Sequence, residues 1–266
     1  MSKEKLYLVK IGGNVIDDEK TLHSFLADFS KIPTKKILVH GGGKIATEIS
    51  KGLGVEAQMI EGRRVTDAET LKIVTMVYAG LINKNIVAKL QANNNNAIGL
   101  TGADANCILS NKRPLKNDID YGFVGDIKNI DSKVLSLLIS NNLNPVIAPI
   151  THDGNGNLLN TNADSVATSL AIGLSQEYEV DLVYCFELKG VLSDFEDKNS
   201  VISKIDFKKY QHLKNEGIIS KGMIPKLDNS FESINNGVNR VIICQANDLL
   251  PIIQGENLGT LLVKAE

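Results

Sequence analysis

Short apolar runs alternate along the chain with longer stretches of helical period. Residues 6–11 (LYLVKI) read as a strand, 19–29 as an amphipathic helix, and 35–40 (KKILVH) as a second strand, followed by a helix that opens near Lys44. The pattern continues with a helical stretch over 67–91, broken near Gly80, and a strand at 97–100. Over 106–130 short strands separated by turn residues suggest antiparallel hairpins on an otherwise parallel sheet. A helix at 132–141 and one buried strand at 144–150 follow. The second half repeats the style, with helices at 163–173, 206–217 and 226–237 and strands at 180–186, 238–244 and 260–264. The asparagine run at 93–96 ends a helix, where this residue tolerates the left-handed conformation.

Parallel strands need crossovers that cover the sheet faces, so this punctuation predicts an α/β sandwich with a mainly parallel central sheet. Two lobes are expected, 1–175 and 176–266, with the boundary near 172–179.

Composition narrows the partners. A chain of 266 residues with 43% apolar and 23% charged residues folds as a globule, and a net charge of −2 makes no electrostatic case for nucleic acid or an anionic membrane. Cys107, Cys185 and Cys244 are odd in number and set among apolar neighbours, as buried reduced thiols are. The amino terminus passes straight into a strand without an apolar signal core, and no segment approaches the roughly 18 continuous apolar residues of a membrane span. A cytoplasmic protein is expected.

The candidate chemistry sits in glycine turns. Gly12 and Gly13 follow the first strand, and Gly41, Gly42 and Gly43 follow the second. At such strand-to-helix turns unpaired N–H groups face an anion such as phosphate, although a single glycine pair serves equally well as a tight turn. Neither turn has the spacing of a dinucleotide fingerprint or a Walker loop. Lys10 precedes the first turn and Lys226 follows a proline suited to a first helical turn; each reads either as a solvated charge or as a phosphoryl ligand. Asn160, Asn162 and Asp164 surround a helix start, and capping accounts for one of the three. Asp164 could orient two lysine ammonium groups. Arg63 and Arg64 read as a hairpin arm, either a grip for a substrate carboxylate or a plain surface pair. The histidines His23, His40, His152 and His212 show no metal-ligand spacing, so no protein metal site is expected.

Taken in order, KIGG (10–13), HGGG (40–43), GRRVT (62–66), NTNAD (160–164) and GMIPK (222–226) resemble the amino acid kinase superfamily, and within it the branch that phosphorylates the side-chain carboxylate of an N-acylated glutamate. The resemblance is collinear over nearly the whole chain. It implies a three-layer αβα sandwich of two lobes, the first binding acylglutamate and forming a dimer, the second binding ATP. Lys10 and Lys226 match the lysines that stabilise the transferring phosphoryl group, and Asp164 the acid that holds them. Gly42, Gly43, Arg64 and Asn160 match substrate contacts, with Arg64 on the α-carboxylate. Nucleotide contacts fall on Glu187, Leu188, Lys189, Gly190, Val191 and Leu192 and on Ile218, Ile219 and Ser220. Magnesium arrives with ATP, held by phosphate oxygens and water.

Glu187 departs from the aspartate usual at its position, and the connection before it is slightly longer. The chain begins almost at its first strand, without the extra helix that links arginine-inhibited members into hexamers, so an arginine-insensitive homodimer is expected. Acetyl and succinyl substrates differ at the end remote from the reacting carboxylate, and both remain open. A non-catalytic sensor of the same fold would have no reason to keep the set Lys10, Asp164 and Lys226.

Overall fold

The computed structural model describes residues 3–60, 63–115, 117–219 and 222–264. In chain order the first elements are β1 (Glu4–Ile11), α1 (Gly13–Asp17), α2 (Glu19–Ser30), β2 (Lys35–His40) and α3 (Gly43–Gly52). The short strands β3 (Met59–Ile60) and β4 (Arg63–Arg64) lead to α4 (Ala68–Thr75), a π-helical segment (Met76–Ile82) and α5 (Asn83–Ala92). Next come β5 (Ala97–Leu100), β6 (Ile108–Lys112), β7 (Gly125–Ile130), α6 (Ser132–Ser140), β8 (Asn144–Ile147), β9 (Ile150–His152), β10 (Leu158–Asn160) and α7 (Ala163–Leu174). The chain ends with β11 (Tyr178–Phe186), β12 (Lys204–Ile205), α8 (Phe207–Asn215), α9 (Ile224–Asn235), β13 (Arg240–Gln245), α10 (Leu249–Ile253) and β14 (Thr260–Leu262).

Two compact units emerge, one made of Met1–Ile37 with Ala167–Glu266, the other of Leu38–Val166. They are not the consecutive stretches 1–175 and 176–266. The first strand belongs with the carboxyl-terminal strands because β1 pairs along its length with β11, from Glu4 opposite Tyr178 to Ile11 opposite Cys185.

In the discontinuous unit the strands run in the order β12-β14-β13-β11-β1, parallel except between β13 and β14. β1 and β11 are nearly continuous apolar runs, buried throughout their centres, as strands covered on both faces must be. Asp18 caps α2 by accepting from the Thr21 amide, and Leu22, Phe25, Leu26 and Phe29 recur at helical spacing on its buried face. Fully buried Asp181 on β11 takes Lys5 from β1 at 2.8 Å, Arg240 Nε from β13 at 2.8 Å and the Asn239 amide at 2.7 Å, a polar clasp across three strands. Cys185 and Cys244 face each other on β11 and β13 as free thiols, Sγ to Sγ 3.9 Å; with Cys107 they are buried, as expected.

In the continuous unit β2, β8 and β5 lie side by side and parallel. β6 and β7 form the expected antiparallel pair, but in a separate four-stranded sheet, β10-β9-β6-β7, rather than on the parallel one. The single strand expected over 144–150 is two: β8 stops at Ile147, and β9 starts at Ile150 in the other sheet. Pro149 stands between them and has no N–H to give a ladder. The break expected near Gly80 is a π-helical segment, through which α4 and α5 continue as one helical stretch. Asn94 takes the left-handed conformation, φ 56°, beyond α5, as expected.

That joined stretch, Ala68–Ala92, is long and apolar enough by length and composition to cross a membrane, although polar and charged residues interrupt it and, as expected, no 18 apolar residues are continuous. Within the fold its residues Ile73, Val74, Val77, Tyr78, Ile82, Ile86 and Leu90 are buried, the burial pattern of a core helix. The α/β class with mainly parallel strands flanked by helices is as the sequence predicts.

Candidate active site

Each unit carries half of the predicted site. In the discontinuous unit β1 runs into the turn at Gly12, whose N–H donates to the Cys185 carbonyl at 3.3 Å before α1 begins. Lys10, second from the end of β1, is only 6% exposed. It lines a cavity of about 340 Å³ together with Gly12, Gly13, Phe186, Glu187 and Lys226. Lys226 enters through the first turn of α9, where Pro225 suits the helix start. Its Nζ lies 3.5 Å from the centre of the Phe186 ring, and Lys10 Nζ lies 5.3 Å from the same centre. The two lysines, 216 positions apart in sequence, are thus brought to one aromatic ring.

Of the expected nucleotide residues, Glu187 and Leu188 line this cavity. Leu188 also lines a neighbouring apolar slot, with Gly190, Val191, Leu192, Ile218 and Ile219. Lys189 lines neither; its ammonium is directed to Asn199 Oδ1 at 2.8 Å. Ser220 and Gly62 lie outside the described residues.

In the continuous unit Gly41, Gly42, Gly43, Arg64 and Asn160 line one cavity of about 200 Å³. The turn from β2 to α3 needs glycine at one point: Gly42 has φ 144°, and a Cβ there would collide with Ile82 Cδ1 and lie 3.3 Å from the Tyr78 ring. At Gly12 and Gly43 protein atoms leave room for a methyl group, so a need for bare backbone there must come from a ligand. Arg64 stands on the hairpin of β3 and β4, as the arm reading expects, and is 8% exposed. Its Nη2 donates to the Gly43 carbonyl at 2.9 Å and to Thr47 Oγ1 at 2.7 Å. Nη1 is buried with no hydrogen-bond partner. A buried cationic donor left unpaired is costly, and a carboxylate oxygen is the acceptor that would satisfy it.

Asn160 closes β10, donating from Nδ2 to Thr66 Oγ1 at 2.9 Å. Asn162 caps α7, its Oδ1 accepting from the amides of Asp164 and Ser165 at 2.9 and 3.0 Å. Half-buried Asp164 then falls in the first turn of α7, as expected, in the unit that does not contain the lysines.

Three further residues border these cavities and turns, and of them the sequence pattern marked only His40, through the run HGGG. His40, fully buried at the end of β2, donates from Nδ1 to the Gly41 carbonyl at 2.8 Å and accepts at Nε2 from Asn83 Nδ2 at 3.1 Å. Burial pushes its pKa down to about 4, with Lys84 pushing the same way, so the ring is neutral at physiological pH. Tyr78, presented by the π-helical segment, lines the Arg64 cavity; burial raises its hydroxyl pKa and the guanidinium opposes that rise. Phe186 sits at the end of an apolar strand, where composition predicts only packing. Among the described residues no three His, Cys, Asp or Glu side chains gather as a metal cage would require.

The model of the amino acid kinase family matches residues 5–245. A protein of Cytophaga hutchinsonii named acetylglutamate kinase is 66% identical over 261 residues, 98% of this chain and 99% of that one. One of the same name from Bacteroides fragilis is 57% identical over 245 residues, 92% and 94% of the two chains. Among solved structures, carbamate kinase from Giardia lamblia bound to AMP-PNP aligns over 100% of both chains with a TM-score of 0.68 at 16% identity, a likeness of fold.

Proposed function

The chain belongs to the amino acid kinase family, and from that premise we propose that it transfers the terminal phosphoryl group of ATP to the side-chain carboxylate of N-acetyl-L-glutamate, giving N-acetylglutamyl 5-phosphate and ADP in arginine biosynthesis. The observation that carries the reading is the convergence of Lys10 and Lys226 on one ring beside the Gly12 turn. A polyphosphate is the ligand such a cluster of cations and amides fits.

The acceptor carboxylate is already ionised and needs no general base. One of its oxygens attacks the γ-phosphorus, the bond from that phosphorus to the bridging oxygen breaks, and ADP leaves with the electron pair. The protein's task is alignment and charge neutralisation: two negative reactants repel, and the lysines offset charge on the equatorial and bridging oxygens. In this reading the unit containing Lys10 holds the nucleotide, with contacts along residues 187–192 and 218–219 and phosphates on Gly12 and Gly13. The unit Leu38–Val166 holds the acylglutamate: Arg64 Nη1 takes the α-carboxylate, Asn160 and the Gly42 and Gly43 amides position the remainder, and Gly41 faces the phosphoryl group. The resemblance gives Asp164 the task of holding the lysines. Magnesium travels with ATP, bound mainly by phosphate oxygens and water. The protein works in the cytoplasm as a homodimer, for which exposed Met76 and Leu81 on the long helical stretch offer an apolar face to a second copy.

The test is ADP release with N-acetylglutamate, N-succinylglutamate, glutamate and aspartate as acceptors, in the parent and in Lys10→Met. N-acetylglutamate should be preferred, and the substitution should lower kcat by about 10³-fold or more, since the charge acts chiefly in the transition state. Turnover of Lys10→Met within tenfold of the parent would sink the role given to that lysine.

A further inference from the structure

Two like charges meet at one aromatic ring. Ammonium groups repel one another and each is better solvated apart, yet Lys10 and Lys226 both stand over Phe186, at 5.3 and 3.5 Å from its centroid. The ring is not free to drift. Tyr184, two residues back on β11 and fully buried, stacks parallel to it at 5.9 Å with an interplanar angle of 5°. The Tyr184 hydroxyl is tied to Thr168 Oγ1 at 2.8 Å. Gly12 borders the same ring, since a Cβ there would sit 3.6 Å from Phe186 Cδ1 and 3.9 Å from Lys10 Nζ.

An aromatic face attracts a cation through its quadrupole. It differs from a carboxylate in a way that matters for phosphoryl transfer: it holds an ammonium without cancelling net charge and without occupying an N–H donor in a conventional hydrogen bond. We propose that Phe186 is a positioning residue of the phosphoryl-transfer site, a platform that holds the Lys10 and Lys226 ammonium groups beside the Gly12 turn before the triphosphate arrives. The inference rests on the assignment of both lysines to the transferring phosphoryl group. The platform adds to the other contacts of the two ammonium groups, so less of the nucleotide's binding is spent on ordering them.

The experiment replaces Phe186 in the full chain with mono-, di- and trifluorinated phenylalanine, which drain the negative face of the ring while nearly keeping its size. Phe186→Tyr and Phe186→Leu accompany the series, with Lys10→Met and Lys226→Met as controls. The expected result is a stepwise fall in kcat/KM for ATP with fluorine number, reaching roughly tenfold for the trifluoro ring. Phe186→Tyr should stay near the parent, Phe186→Leu should match the trifluoro variant, and KM for N-acetylglutamate should hold throughout. A packing role alone would be indifferent to fluorine number. A series flat within twofold, while both lysine variants lose activity, overturns the role of Phe186 and leaves the proposed reaction standing. Lysine variants that keep turnover overturn the assignment of the site and the inference with it. Should Phe186→Leu fail to fold, the fluorinated variants, which retain the ring, still decide.

Discussion

Arg64 Nη1 is buried and unpaired while Nη2 of the same fork is spent on Gly43 and Thr47, so one guanidinium both braces the glycine turn and presents a donor to a ligand. Arg64→Lys keeps the charge but cannot do both, because an ammonium lacks the planar fork. Loss of one charge-assisted bond in a buried site costs about 2–3 kcal/mol, which predicts a KM for N-acetylglutamate raised roughly 30- to 150-fold with kcat little changed. Steady-state kinetics with ATP saturating decides it, and a KM within threefold of the parent would contradict the assignment. The turn glycines and the proline drew attention to Lys10, Arg64 and Lys226 but left each readable as a plain surface charge, and the roles assigned to them came from the resemblance of the ordered motifs. Phe186 and Tyr78 were not legible in the sequence, since an aromatic residue at the end of an apolar strand or within an apolar helix carries the pattern of a core residue. Their part in the site comes from long-range packing that periodicity does not encode.

Among the elements, the turn between β2 and α3 depends most on its surroundings. Gly42 has a backbone conformation rarely open to L-residues and rests against Ile82 and Tyr78 of the π-helical segment. Gly42→Ala is therefore expected to lose about 1–3 kcal/mol of stability in urea unfolding and to raise KM for the acyl substrate. Pairing it with Ile82→Ala should relieve the collision yet leave the φ strain, so a double variant restored to parental stability would refute the strain argument. The same turn is pinned by neutral His40 through the Gly41 carbonyl and Asn83. With a folded-state pKa of about 4 against an ordinary 6.5, the unfolded chain binds the extra proton throughout that interval. Stability therefore falls as pH drops from about 6.5 toward 4, by roughly 2 kcal/mol between pH 7 and pH 4.5 from this residue. His40→Gln should lose that part of the slope whatever its stability at pH 7. Equal slopes in the two proteins would show that His40 does not carry it. Helix and strand positions were largely readable from apolar period; the division of 144–150 between two sheets was not, because its apolar residues are continuous and only Pro149 marks the break.

For the whole molecule, exposed Met76 and Leu81 on the stretch Ala68–Ala92 are the basis for expecting a second copy. Sedimentation equilibrium should return twice the 28.9 kDa chain mass, and Met76→Asp combined with Leu81→Asp should shift the protein toward one chain. A single-chain mass for the parent at micromolar concentration would rule this out. The α/β class followed from alternation alone, whereas the make-up of the units did not, because local pattern says nothing about which distant strands become neighbours.

The pairing of Glu4 with Tyr178 has a consequence for how the polypeptide is made. On the ribosome the first strand emerges long before its partner exists, and the intervening residues of Leu38–Val166, contiguous in the chain, can collapse while it waits. Closing so long a loop is slow, and the exposed apolar edge of β1 during that interval is where nascent chains would aggregate or recruit a chaperone.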